Sequence, residues 1–124
     1  MKEMILLFNP PEKEHLLKIR SALLPLHIRI QLIKREQYNQ PLGYLAGMKD
    51  IAPAEEIYDG EELPDTMFLF SSLSSSRLDQ VLAALRKSGV GPFPYKAILT
   101  PTNSKWNAVD CFSEIRREHE ALHS

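Results

Sequence analysis

The chain has one cysteine, one tryptophan and five glycines in 124 residues, with almost no net charge. Each scarcity removes a class of protein. Cys111 alone cannot form an internal disulfide, and one thiol among scattered histidines is no zinc-ribbon pattern. Fifteen Lys and Arg against sixteen Asp and Glu leave a net charge of −1, so no general positive field attracts nucleic acid or an anionic membrane. The longest apolar run, Met4-Ile5-Leu6-Leu7-Phe8, falls far short of the ~20 residues of a membrane helix. It also fails as a signal peptide, because Asn9-Pro10-Pro11 ends it without a small-residue cleavage site. A soluble cytoplasmic protein is expected, with neither nucleic acid nor membrane as partner.

What is present is ordinary globular material, 44% hydrophobic and 25% charged. At this length a single domain over residues 1–124 buries about two-thirds of its unfolded surface, enough for a core without staples. Four segments read as strands. Residues Met4–Phe8 and 67–70 are continuously apolar, the pattern of strands covered on both faces, whereas 27–32 alternates and 95–99 is intermediate, as edge strands do. Helical spacing appears at Leu16, Ile19 and Leu23, at Leu78, Val81, Leu82 and Leu85, and at Ala108, Phe112 and Ile115. Asn9 and Ser76 stand where N-caps of the first two are expected, Thr102 or Asn103 where the last begins, and 41–47 allows a short helix behind Asn39 or Gln40. Between them, 50–65 carries seven acidic residues without calcium-loop spacing and reads as a solvated acidic loop. No internal repeat is visible.

Alternation of strands and helices predicts an α/β fold: three layers, with a four-stranded parallel sheet in order 2-1-3-4 and helices on both faces. The first helix is expected on one face, the second and third on the other, and the last beside the first. A ferredoxin-like α+β fold, order 4-1-3-2, also centres strands one and three; the roughly thirty residues between strands two and three count against its usual hairpin there.

In a parallel sheet ligands bind beyond the carboxyl ends of the strands. That places Asn9, Ser71, Ser72, Thr100, Thr102, Asn103, Lys105 and Trp106 on one rim, polar, with a cation and a stacking surface. Capping and packing explain most of these residues equally well. The rim segments hold no Asp, Glu, His or Cys, and Pro10 and Pro11 offer no N–H to a phosphate, so no catalytic residue, metal or cofactor is assigned. Thr100-Pro101 is a candidate cis bond by position. His119-Glu120-Ala121-Leu122-His123 fits H-E-x-x-H, but only Ser124 follows and a helix end frays, so zinc is not assigned. Cys111 reads as an ordinary buried or half-buried thiol.

The stretches Gln40-Pro41-Leu42-Gly43-Tyr44-Leu45-Ala46-Gly47, Lys96-Ala97-Ile98-Leu99-Thr100-Pro101-Thr102-Asn103 with Trp106, and Glu118-His119-Glu120 resemble short bacterial proteins grouped as domain of unknown function 3783. The resemblance spans most of the chain and implies a bacterial, cytoplasmic, single-domain protein with no activity attached. The functional expectation is a small non-catalytic module whose rim binds a polar or anionic small ligand or a protein partner, or which self-associates. The rival is a small enzyme at the same rim, working through Lys105 or the acidic-loop carboxylates.

Overall fold

A computed structural model describes residues 2–123. The chain runs β1 (Met4–Phe8), α1 (Lys13–Leu23), β2 (Arg29–Ile33), α2 (Leu42–Leu45), β3 (Met67–Ser71), α3 (Ser75–Lys87), β4 (Lys96–Ile98) and α4 (Ala108–His123), with 3₁₀ turns at Leu24–Leu26, Arg35–Gln37 and Asn103–Lys105. The sheet order is β2-β1-β3-β4, as the strand compositions predict. Its directions are not uniform. β1 pairs with β2 and β3 with β4 in parallel, but the central pair β1–β3 is antiparallel, with Leu6 opposite Leu69 at its middle. Continuous apolarity reports that a strand is covered on both faces and carries no information on its direction.

The antiparallel centre also moves the helices. One core unites Ile5, Leu7, Phe68 and Phe70 with Ile19 and Leu23 of α1 and Val81 and Leu85 of α3. The other unites Leu6, Phe8, Met67 and Leu69 with Leu42 of α2 and Ala108, Cys111 and Phe112 of α4. So α1 and α3 share one face and α2 and α4 the other, not the distribution a fully parallel sheet would impose. The three layers remain. The ferredoxin-like alternative is excluded by the observed strand order.

These relations make the molecule two copies of one unit, strand–helix–strand–3₁₀ turn–helix, joined by a pseudo-two-fold axis through the Leu6–Leu69 pair. A half-turn about an axis normal to the sheet reverses a strand but keeps its right-handed crossover on the same face. Local detail follows the symmetry. Asn9 and Ser72, each the first residue after its inner strand, have φ of 49° and 65°. His27 and Gly89 are again left-handed, at 54° and 76°, and each precedes a buried residue, Ile28 or Val90. Buried Ile19, Leu23 and Ile28 correspond to Val81, Leu85 and Val90 at one constant spacing. The N–H that opens α2 (Leu42) donates to the Trp106 carbonyl at 2.8 Å, and the one that opens α4 (Ala108) donates to the Tyr38 carbonyl at 3.2 Å. The repeat escapes the eye in the sequence because a two-sided core demands only apolar character, and Ile, Leu, Val and Phe satisfy it interchangeably.

The units differ in one joint. Ile28 runs directly into β2, whereas Val90 is followed by residues 91–95 before β4 begins. The cis peptide bond lies in that extra segment, at Gly91-Pro92, and Thr100-Pro101 is trans.

The link from β2 to β3 stays at one end of the sheet. There the Asn9 backbone N–H donates to the Tyr38 hydroxyl at 3.1 Å, its side-chain amide donates to the Leu63 carbonyl at 2.9 Å, and the Thr66 hydroxyl donates to the Asn9 carbonyl at 2.6 Å. The Tyr38 hydroxyl in turn donates to the Glu62 carboxylate. These bonds bring the chain back beside the end of β1, so β3 starts opposite Phe8 and runs the other way.

At the opposite end, Arg77 in the first turns of α3 grips Glu3 with Nε and an Nη, at 2.9 and 3.0 Å, and also donates to the Leu26 carbonyl. It thereby joins the start of β1 to the end of the first helical segment. The Arg77 hydrogen bonds hold the Glu3 carboxyl below its usual range. A carboxylate lowered in the fold stabilises fully above its unfolded pKa, near pH 4, and that contribution disappears as pH falls through the folded value. Glu3→Gln is therefore expected to lower the urea midpoint at pH 7 and to match the parent at a strongly acidic pH where the carboxyl is protonated in both states. An equal deficit at both pH values would contradict this ionic role.

Candidate functional site

The antiparallel centre divides the expected rim. Asn9 lies at the carboxyl end of β1, while Ser71 ends β3, Ser72 follows it and Thr100 follows β4, all at the other end of the sheet. Asn9 is consumed by the Tyr38–Leu63–Thr66 network and does not cap α1, whose N-cap is Glu12 without a side-chain bond. Ser74, not Ser76, caps α3 by accepting from the Arg77 N–H, at 3.2 Å. Asn107, not Thr102 or Asn103, caps α4, accepting from the Asp110 N–H at 2.8 Å. Gln40 does not cap α2 either; it exchanges two bonds with the Ala54 backbone, 3.1 and 2.8 Å.

The rest of the rim is occupied by its own turn. The Asn103 side chain accepts from the Thr100 N–H at 2.8 Å and donates to the Ile98 carbonyl at 2.9 Å, while the Thr100 hydroxyl accepts from the Asn103 N–H at 3.1 Å. Trp106 is half-buried against the α2–α4 core, and Thr102 and Lys105 are exposed. Ser71 is buried and its hydroxyl has no hydrogen-bond partner among the described residues. By strand alternation it shares the face of Met67 and Leu69, away from the start of α3. The acidic loop does not converge on Asn103; its Glu62 meets Tyr38 instead. Burial, then the Glu62 carboxylate, pushes the Tyr38 hydroxyl well above the ordinary phenol range.

His119 and His123 share a helix face, their rings 4.3 Å apart, with His119 edge-on to Tyr95. Among the described residues no third His, Cys, Asp or Glu joins them in a metal-sized group. Cys111 is buried, and burial, followed by the charge of Glu118, pushes its thiol up to about 11.

A concavity of about 770 Å³ lies between α1 and α3. Ala22 and Ala84 line it, small residues that let the two helices pack closely, and it is open to solvent along its length. A better-formed site borders the other side of α3. Two adjoining hollows of about 290 and 270 Å³ share Leu82 and Lys96 and so form one trough between α3 and β4. Leu85, Val90, Pro92 and Phe93 line one end with Arg86; Phe70, Leu78, Ala97 and Ile98 line the other. Phe93 is anchored on Phe68, ring centroids 4.9 Å apart.

The pseudo-symmetry shows what distinguishes the trough. Its counterpart between α1 and β2 is lined by Arg20, Leu23, Leu24 and Ile28, which take the places of Leu82, Leu85, Arg86 and Val90. The first unit thus has a charge where the second has Leu82, and it lacks the extra segment that supplies Pro92 and Phe93. Arg86 and Lys96 are the ionisable groups of the trough, and neither has a salt bridge among the described residues. The Lys96 ammonium donates to the Phe93 carbonyl, and burial holds it below the usual lysine value.

The edge of β4 is partly closed. Tyr95 O and Leu99 N bond to β3, so the backbone groups of Lys96 and Ile98 point outward, and the Asn103 amide covers the Ile98 carbonyl. That cap blunts strand addition while leaving the trough beneath it open. The sequence signal for this site was the segment Gly89–Tyr95 in effect, two glycines and two prolines around one phenylalanine, more punctuation than a helix-to-strand turn needs.

Residues 66–122 match a family model described as a domain of unknown function (DUF3783). The matched segment coincides with the second structural unit and contains the whole trough, while 40–47 lies outside it. No curated protein matches the chain. Among the described residues no helix is long and apolar enough to cross a membrane.

Proposed function

We propose that residues 66–122, the segment that matches the DUF3783 family model, make the chain a non-catalytic binding module, holding a small apolar molecule in the α3–β4 trough. The observation that carries the reading is the trough itself: an apolar cleft completed by a segment that the first unit lacks. Cavities lined by apolar side chains with a few placed polar groups are what small-ligand sites look like. Its ionisable groups are Arg86 and Lys96, with no carboxylate, imidazole or thiol among the described lining residues to move a proton, which favours binding over turnover. The blunted β4 edge favours a small molecule over an added strand. A bacterial, cytoplasmic setting belongs to the same reading and suits a chain whose single cysteine is a buried thiol.

The test uses N-phenylnaphthylamine, a neutral apolar dye whose fluorescence rises on leaving water. The parent chain is expected to bind it saturably, and Ile98→Glu, at a position 54% exposed and therefore tolerant, is expected to abolish the signal. Equal fluorescence from parent and variant would overturn the site.

A further inference from the structure

The ends of the trough are chemically different, and that difference specifies a class of ligand. Lys96 stands where the two hollows meet, and Arg86 lines only the hollow that contains Val90 and Phe93. Beyond Lys96, the other hollow is lined by Phe70, Leu78, Leu82, Ala97 and Ile98, without another charge. Leu78, Leu82 and Leu85 follow one another along α3, so the apolar wall is a strip about 10 Å long and one side chain wide.

We infer that the trough takes a carboxylate with an unbranched apolar chain, its head between Arg86 and Lys96 and its chain lying over Leu82 toward Leu78 and Ile98. Charge complementarity argues for the head. Two cations without acidic partners among the described residues border one end of an apolar strip, and a guanidinium presents the fork that a carboxylate fits. The Lys96 ammonium now bonds to a neutral carbonyl, that of Phe93, which an incoming carboxylate replaces with an opposite charge. The form of the strip argues for the chain: a narrow wall of leucines accommodates a row of methylenes better than a broad ring system. The inference rests on the proposed binding function and adds the identity of the ligand.

The experiment titrates the full chain with hexanoate, octanoate and decanoate, with octan-1-ol and octyltrimethylammonium as neutral and cationic controls, following amide shifts by NMR. Affinity is expected to rise about fourfold per added methylene until the strip is filled. Octanoate should bind at least tenfold more tightly than octan-1-ol, and octyltrimethylammonium should not bind. Arg86→Gln and Lys96→Gln, both at exposed positions, should each weaken octanoate about tenfold. If the dye binds but octanol equals octanoate, the carboxylate inference falls and the binding function stands. If neither the dye nor the carboxylates bind, both fall.

Discussion

Unfolding of a Leu69→Ala variant is expected to require about 3–5 kcal/mol less free energy than the parent chain, the range for a fully buried leucine whose cavity cannot close. Leu69 has no solvent exposure and faces Leu6 across the pseudo-two-fold axis, inside the core that α2 and α4 cover. Every element of that layer leans on the central pair, so little can relax into the space. Stabilities of single domains lie near 5–15 kcal/mol, and the loss is therefore a large fraction of the total. Leu24→Ala, at a position 71% exposed, should change stability by less than about 0.5 kcal/mol and serves as control. Because Leu6 and Leu69 are in register, Leu6→Ala should not add independently; a double-mutant cycle should show about 0.5–3 kcal/mol of coupling. Urea denaturation measures all of these, and an additive cycle would argue against a shared central cavity.

Tyr38→Phe keeps the ring and removes one oxygen, yet is expected to cost about 1–3 kcal/mol, because the Asn9 N–H loses its acceptor in a confined place. The ring stays against Phe8 and Tyr58, centroids 6.1 and 5.6 Å away, so the difference reports the hydroxyl. The parent chain carries a second signature. Burial and Glu62 keep Tyr38 protonated in the fold, whereas an unfolded tyrosine ionises near pH 10. A group whose folded pKa is raised stabilises below its unfolded pKa and loses that contribution as pH rises toward the folded value. Stability of the parent should thus decline above about pH 10 more steeply than that of Tyr38→Phe, and parallel alkaline slopes would refute the assignment.

The candidate site was only partly legible from the residues. Asn103 and Thr100 stood out because amides and hydroxyls after a strand are common in binding rims, but they bond to one another and to Ile98 and so finish the β4 turn. Asn9 stood out for the same reason and holds the link between the units. The trough is not legible in the sequence because its residues read as separate things: Leu78, Leu82 and Leu85 as a helix stripe, Lys96 and Ile98 as an edge strand, Pro92 and Phe93 as a loop. Each description is correct, and none shows that α3 leaves the outer side of β4 uncovered.

The sequence by itself determined the strands, the main helices, the strand order and the three layers, because burial on one or both faces is written in the spacing of apolar residues. Tertiary structure alone decided the direction of β3, the face each helix covers and the likeness of the two units. The reason is physical: a strand buried on both sides satisfies the hydrophobic effect equally well in either direction. The choice falls to a few long-range hydrogen bonds around Asn9 and Tyr38, whose partners lie up to 57 positions away along the chain.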